Sequence, residues 1–482
     1  MKRLSYLLCI CTFISFSFNS LGQSTPTGEN ITTTIHIDPT HRYQSIEGWG
    51  SSLCWWAAQV GNWNEARVDS IVDLITSAGK LNMNIFRYNI GAGDDPSHVD
   101  GHMVKGKGKR AEMEGFKASA DAPYNWSADK AQRVIMLKIK EKRPDAIFEA
   151  FSNSPPHWMT FSGCSAGNTD PMQDNLKPEY YGPFCDYLID VCKHYKEQYG
   201  IEFKTLEPFN ESTSSYWNNL GSQEGCHFTP ETQMKIIRMI SPKLTASGLK
   251  TMLSASDETN VASFIKVLKD YQLAGDILDK VGQLNTHTYS GKNSERMEAY
   301  DLVKATNKPF WQSETGPSGK SKSNIESNLG LAQKLFDDMR YMKPQAWLDW
   351  QLMEETNEVW CLIRCNFKSQ EYKIIKNLYV RMQITRFFQQ GYTIVETGND
   401  QVLAAINQDK TELVMAVLNT SEGLKAYNLE LKSFRKTGNK ALVYRTSASE
   451  NCSTVISSDV KDKTIEYKAP GLSLTTFIIP LH

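Results

Sequence analysis

Eight short runs rich in β-branched and aromatic residues recur through the middle of this chain: IEGWGSSL (46–53), NIFRYNI (84–90), AIFEAFSN (146–153), TLEPFN (205–210), TMLSAS (251–256), QLNTHTY (283–289), PFWQSE (309–314) and AWLDWQL (346–352). Between most of them lie stretches with helical periodicity, such as ARVDSIVDLITSAG, ADKAQRVIMLKIKEK, YYGPFCDYLIDVCKHYKEQYG and SNLGLAQKLFDDMRYM. Strands alternating with helices predict a parallel sheet. Eight such units over about 340 residues predict a (β/α)8 barrel, also called a TIM barrel, over 46–388.

From residue 389 the pattern changes. YTIVETG, QVLAAINQ, ELVMAVLN, YNLELKSF, ALVYRTS, TIEYKA and SLTTFIIP lack helical spacing and are split by turn residues. They predict a C-terminal antiparallel β-sandwich over 389–482. TTTIHIDP (32–39) precedes the barrel and has no barrel partner. It is expected to join the sandwich, so that 23–45 belongs to that domain. With no internal repeat and no low-complexity linker, the two domains are expected to pack closely.

Residues 1–22 read as a signal peptide. Lys2 and Arg3 supply the charge, Leu4 to Phe18 the apolar region, and Ser20-Leu21-Gly22 a small-residue site with cleavage near Gly22/Gln23. The apolar stretch is short for a membrane span and no later run is long enough, so a periplasmic or secreted protein is expected. A net charge of −1 supplies no global field for nucleic acid or anionic membrane. Eleven Trp, 20 Tyr and 20 Phe fit either a large core or a surface on which sugar rings stack. Eight cysteines follow the leader, from Cys54 to Cys452, without a CxxC pair or a matched Cys/His set. No metal or other cofactor is expected. Most of these cysteines should be buried thiols, with one bridge allowed near the barrel loops. A monomer is expected.

The chemistry centres on two carboxylates 103 residues apart. Glu211, in LEPFNES, follows the fourth run, and Glu314 ends the seventh, in PFWQSETG. The C-terminal strand ends of a barrel carry its catalytic loops, and strands four and seven face each other across the mouth. Paired carboxylates about 5–5.5 Å apart are the machinery of retaining glycoside hydrolysis. A single strand-end glutamate would more simply be a structural ion pair, so the matched placement of two carries the reading.

The ordered set GWGSSLCWWA, FRYNIGAGD, SNSPPHWM, EPFNES, HTYS, WQSETG, WLDWQ and YVRMQITRFFQQGY resembles glycoside hydrolase family 30 from about Ile46 to Gly391. The resemblance implies a barrel with a side-associated sandwich, net retention and no metal. It implies that Glu211 is the acid/base, Glu314 the nucleophile, and Asn210 a partner of the sugar 2-hydroxyl. Tyr289 is then a tyrosine that orients the nucleophile. Arg87 is the strand-two arginine that keeps Glu314 ionised, and Trp350 is the floor of the −1 subsite. Of the adjacent Trp55 and Trp56, Trp55 is expected to contact sugar and Trp56 to pack. Asn153 stands where many members carry Trp, replacing a stacking wall with an amide. Trp158 is expected to pack its loop, and His287 to form a wall, a hydrogen bond or a buried structural contact. Asp94, Asp95, Gln223 and Glu224 are either loop ligands for hydroxyls or solvated charge. The charge of Glu314 is expected to raise the pKa of Glu211.

GWGSSLCWWA, SNSP and SQEGCHF look most like the endo-β-1,6-galactanases of the family, which cut galactan side chains of arabinogalactan. The partner implied is a polysaccharide or oligosaccharide. A β-1,6-glucanase, an exo-β-glycosidase and an inactive carbohydrate-binding protein are the alternatives.

Overall fold

The structure is a computed structural model and describes residues 32–95, 113–317 and 324–482. The expected leader and its cleavage site lie outside the described residues. Each of the eight runs becomes a strand: Gly48–Ser52, Ile85–Asn89, Ile147–Phe151, Thr205–Glu207, Met252–Glu258, Gln283–His287, Phe310–Glu314 and Ala346–Asp349. They form a closed parallel barrel in chain order, and the eighth strand shuts it by pairing Ala346–Asp349 with Gly48–Ser51. Gly50 permits a close approach here, because a Cβ would sit 1.9 Å from the Ile85 carbonyl oxygen. The fourth strand is shorter than its run because Pro208 follows Glu207 and has no N–H for the ladder. Glu211 is thereby carried on a loop rather than on the strand.

Helices between the strands bury one face. Pro230–Ala246 starts cleanly, with the Thr229 side chain accepting from the Thr232 N–H, Pro230 in the first turn and Glu231 beside the helix dipole. Ile236, Ile237, Ile240 and Leu244 face the core. Tyr181–Tyr199 stops at Gly200, which adopts a left-handed φ of 62°.

Inside the barrel the layers differ in chemistry. Ile85, Trp311, Ala346 and Leu348 form a separate apolar cluster. Arg87, Glu149, Asn285 and Asp257 form a second, polar group, and all four are fully buried.

The remaining strands make a seven-stranded sheet and a three-stranded sheet. Asp38–Ser45 lies at one edge of the larger sheet, antiparallel to Thr393–Glu396. Thr32–His36 runs parallel to Lys425–Glu430 in the smaller sheet. Strand Glu412–Asn419 is buried on both faces. Leu413, Met415 and Val417 pack between the sheets, while Val414, Ala416 and Leu418 join the core that continues through Leu378 and Phe388 to the barrel. This shared core holds the sandwich against the barrel side.

A third sheet of Met353–Glu354, Ile363–Asn366 and Glu371–Ile374 grows from the loop after strand eight. The periodicity of the sequence did not reveal it, because each strand is four residues or fewer. All eight cysteines from Cys54 onward are buried thiols, so the bridge allowed near the barrel loops is not formed among the described residues. Among the described residues no helix is long and apolar enough to cross a membrane.

Candidate active site

Glu314 is the last residue of strand seven and only 3% exposed. The Arg87 guanidinium donates to its Oε2 at 2.7 Å, and the Tyr289 hydroxyl donates to its Oε1 at 2.9 Å. Burial pushes its pKa up, while His287 and Arg87 pull it back toward the ionised form. Arg87 therefore contacts Glu314 directly. Its Nε also meets Glu149 Oε1 at 2.9 Å and its Nη2 meets Asp257 Oδ2 at 2.5 Å. One buried cation ties strands two, three, five and seven together.

Glu211 sits on the loop after strand four with a φ of 52°. That left-handed turn is held by its own N–H, which donates to the Asp257 carbonyl at 2.8 Å, and by the Trp217 indole, which donates to the Glu211 carbonyl at 2.9 Å. The Tyr216 hydroxyl donates to Glu211 Oε2. Burial raises the Glu211 pKa to about 7, against the hydrogen bond from Tyr216 and the charge of Arg87. The cause differs from the one expected: removal from water, rather than the charge of Glu314, is the main influence.

The two glutamates meet. His287 Nδ1 lies 3.1 Å from Glu211 Oε1 and 3.4 Å from Glu314 Oε1, and one atom from each of these three side chains falls within 4.8 Å of the others. Such a trio could bracket a cation. The guanidinium already seated on Glu314 disfavours one, since a second positive charge would stand beside the first. His287 is fully buried, so it is both a structural histidine and a hydrogen-bond partner of Glu211.

Both carboxylates open into a cavity of about 760 Å³. Asn210, Asn153, Tyr289 and Trp350 line it, and so does Gln223. Asn210 lines the cavity, and its Oδ1 is buried without a hydrogen-bond partner in the protein, an acceptor that a hydroxyl donor would satisfy. Asn153 is 2% exposed, and its amide nitrogen faces Cys54 Sγ at 4.0 Å. Trp55 does not line the cavity. It lies beneath Trp350, edge to face at 5.7 Å, and braces that ring rather than touching the open space. Trp56 is core, its indole donating to the Ser52 carbonyl. Glu224 is buried and accepts from Asn89 Nδ2 and the amides of Ala92 and Met113, which pins the loop after strand two. Asp94 and Asp95 lie outside the cavity lining.

Sequence reasoning missed Asp257, Tyr216 and Trp360. Asp257 follows the run TMLSAS directly, so extending that strand by one position would have found it. Tyr216 lies in an irregular loop with no periodic signal. Trp360 ends a short 3-10 helix, Glu358–Trp360, between the first two strands of the small sheet, lines the cavity and packs 5.9 Å from Tyr289. Gly316 makes room for it, because a Cβ there would fall 2.4 Å from the indole.

A family profile described as O-Glycosyl hydrolase family 30 matches residues 32–295. The chain is 32% identical over 402 residues to an endo-beta-1,6-galactanase of Hypocrea rufa, covering 80% of this chain and 81% of that protein. It is 24% identical to an exo-beta-1,6-galactobiohydrolase of Bifidobacterium longum subsp. longum, an alignment that covers 100% of this chain and 37% of that longer protein. Among solved structures, a conserved exported protein from Bacteroides fragilis shares the fold, with a TM-score of 0.80 at 19% identity over 92% of this chain and 100% of that one.

Proposed function

The chain belongs to glycoside hydrolase family 30, and from that premise we propose that it is a retaining, endo-acting hydrolase of β-1,6-galactan, including the galactan side chains of arabinogalactan. The observation that carries the reading is the spacing of unlike carboxylates: oxygens of Glu211 and Glu314 fall within 4.8 Å of each other in one cavity. Retaining enzymes hold their carboxyl groups about 5–5.5 Å apart, whereas inverting enzymes need about 6.5–9.5 Å to admit a water.

Glu314 attacks the anomeric carbon as Glu211 transfers its proton to the departing glycosidic oxygen. The covalent glycosyl-enzyme then forms at Glu314. Glu211, now ionised, takes a proton from water, and the resulting hydroxide displaces Glu314 and regenerates both groups. A Glu211 pKa of about 7 suits both halves of this cycle, since the group must be acid first and base second. Arg87 and Tyr289 favour the anionic Glu314 that attack requires. Asn210 accepts from the sugar 2-hydroxyl, and Trp350, braced by Trp55, floors the reacting ring. Asn153 offers an amide to a polar edge such as the axial hydroxyl of galactose. A polymer of this kind fits the export expected from residues 1–22.

The endo-beta-1,6-galactanase name of the Hypocrea rufa relative supports the substrate. The exo name of the Bifidobacterium longum relative favours a second reading, release of short products from chain ends. Purified protein should release a ladder of oligosaccharides from de-arabinosylated β-1,6-galactan; cleavage of β-1,6-glucan alone would reject the galactan assignment, and a single short product would favour the exo mode. Glu211→Gln should lose about 10²–10⁴-fold on galactan but keep much of its rate on aryl glycosides with fast leaving groups. Glu314→Gln should lose both. Equal losses on both substrates in the two variants would reverse or remove the assigned roles.

A further inference from the structure

A second cavity, of about 280 Å³, lies behind the loop that follows strand three. Asn153, at the start of that loop, lines the catalytic cleft, and Trp158, five residues on, lines this other space. Its walls come from the loops after strands two and three and from helix Tyr181–Tyr199. Its volume falls just below the roughly 300–1,000 Å³ usual for sites that take drug-sized molecules, a size suited to one sugar unit.

The walls are aromatic and set in fixed directions. Trp158 donates its indole N–H to the Lys117 carbonyl at 2.8 Å, which locks the ring. Tyr180 meets it at 5.4 Å with the planes 89° apart, so the two rings form a corner. Tyr124 completes the wall, its ring stacked on Trp126 at 4.4 Å and its hydroxyl donating to Asp190 Oδ2 at 2.9 Å. The charged groups sit among these rings. The Lys117 ammonium stands 5.6 Å from the Tyr124 ring and 5.9 Å from Trp158, and Asp186 and Asp190 lie on the same cavity. Rigid aromatic planes suit the C–H faces of a pyranose, and an ammonium with carboxylates suits its hydroxyls. Neither the acid/base pair nor its supporting network uses any of these side chains.

We propose that this cavity is a non-catalytic sugar-binding site that holds a hexose unit of the same polysaccharide whose backbone lies in the cleft. The inference rests on the reading of the substrate as a polymer of neutral hexoses. A chain engaged at both places gains effective concentration, so the second site raises the hold on long substrates and leaves short ones unaffected.

The test compares Tyr180→Ala and Trp158→Ala with the full-length parent protein. Affinity electrophoresis uses gels containing β-1,6-galactan or β-1,6-glucan, in a Glu314→Gln background so that the polymer survives. Hydrolysis of a short aryl β-glycoside is followed in the otherwise native enzyme. Tyr180→Ala should weaken retention by about three- to tenfold on whichever polymer the parent cleaves, and leave the short-substrate rate within about twofold. Unchanged retention by Tyr180→Ala and by a folded Trp158→Ala overturns the site. Equal losses on polymer and short substrate also overturn it, because they mean damage to the cleft. Should the parent cleave glucan rather than galactan, the substrate reading fails, while the glucan gel still decides the second site.

Discussion

Two buried regions of this molecule are built on opposite terms. Strand Glu412–Asn419 of the sandwich is covered on both faces by apolar side chains, with Leu413 and Met415 on one side and Val414 and Ala416 on the other. The barrel interior below the cleft is equally buried, yet it holds Arg87, Glu149, Glu207 and Asp257, all fully buried. Hydrophobic burial stabilises the first region outright. In the second, each charge must be matched by a partner to offset its removal from water. Arg87 does this for Glu149, Asp257 and Glu314 together. Glu207 gains less, and its pKa is raised well above the usual carboxylate range by burial and by the charge of Asp257. The contrast separates burial that stabilises unaided from burial that depends on matched charge.

The largest effect expected of this contrast is at Arg87. Arg87→Leu keeps an apolar side chain but strands three carboxylates. It should destabilise the fold by about 3–5 kcal/mol in urea unfolding and remove most activity. A variant as stable as the parent would mean that the barrel interior does not depend on that charge. On the other side, Leu413→Ala should cost about 2–5 kcal/mol with kcat/KM unchanged at temperatures where the variant is folded. A matching loss of kcat/KM would show that the sandwich core and the cleft are coupled.

The smallest effect lies at Tyr216. Its hydroxyl bonds Glu211 Oε2 and so favours the ionised form. With the Glu211 pKa at about 7, the acid form should dominate below neutrality, and kcat/KM should decline as pH rises through that value. Removing the donor in Tyr216→Phe favours the protonated form. The alkaline limb should therefore move to higher pH, by about half to one unit. A limb that stays in place, or moves to lower pH, would show that another group sets it.

The same contrast explains what was legible beforehand. The strand count could be read because each run is short, β-branched or aromatic and separated by helical spacing. The sandwich could be read for a similar reason. Glu211 and Glu314 stood out because each follows an apolar run with turn residues after it. The polar layer did not stand out, because Glu149 within AIFEAFSN reads as an interruption of a strand until the register sets it opposite Arg87. Trp55 was misplaced because adjacent tryptophans do not declare which of them faces the opening. Only the packing of Trp55 under Trp350 settles it. The small sheet after strand eight escaped notice because its strands are too short to carry a period.

Gly316 stands two residues beyond Glu314, with the Trp360 indole resting where its side chain would be. A ligand that presses on this wall of the cleft therefore pushes on the main chain two residues past the strand that ends at Glu314. Fit at the wall and alignment of that carboxylate become one mechanical event, with no flexible side chain between them to absorb the load.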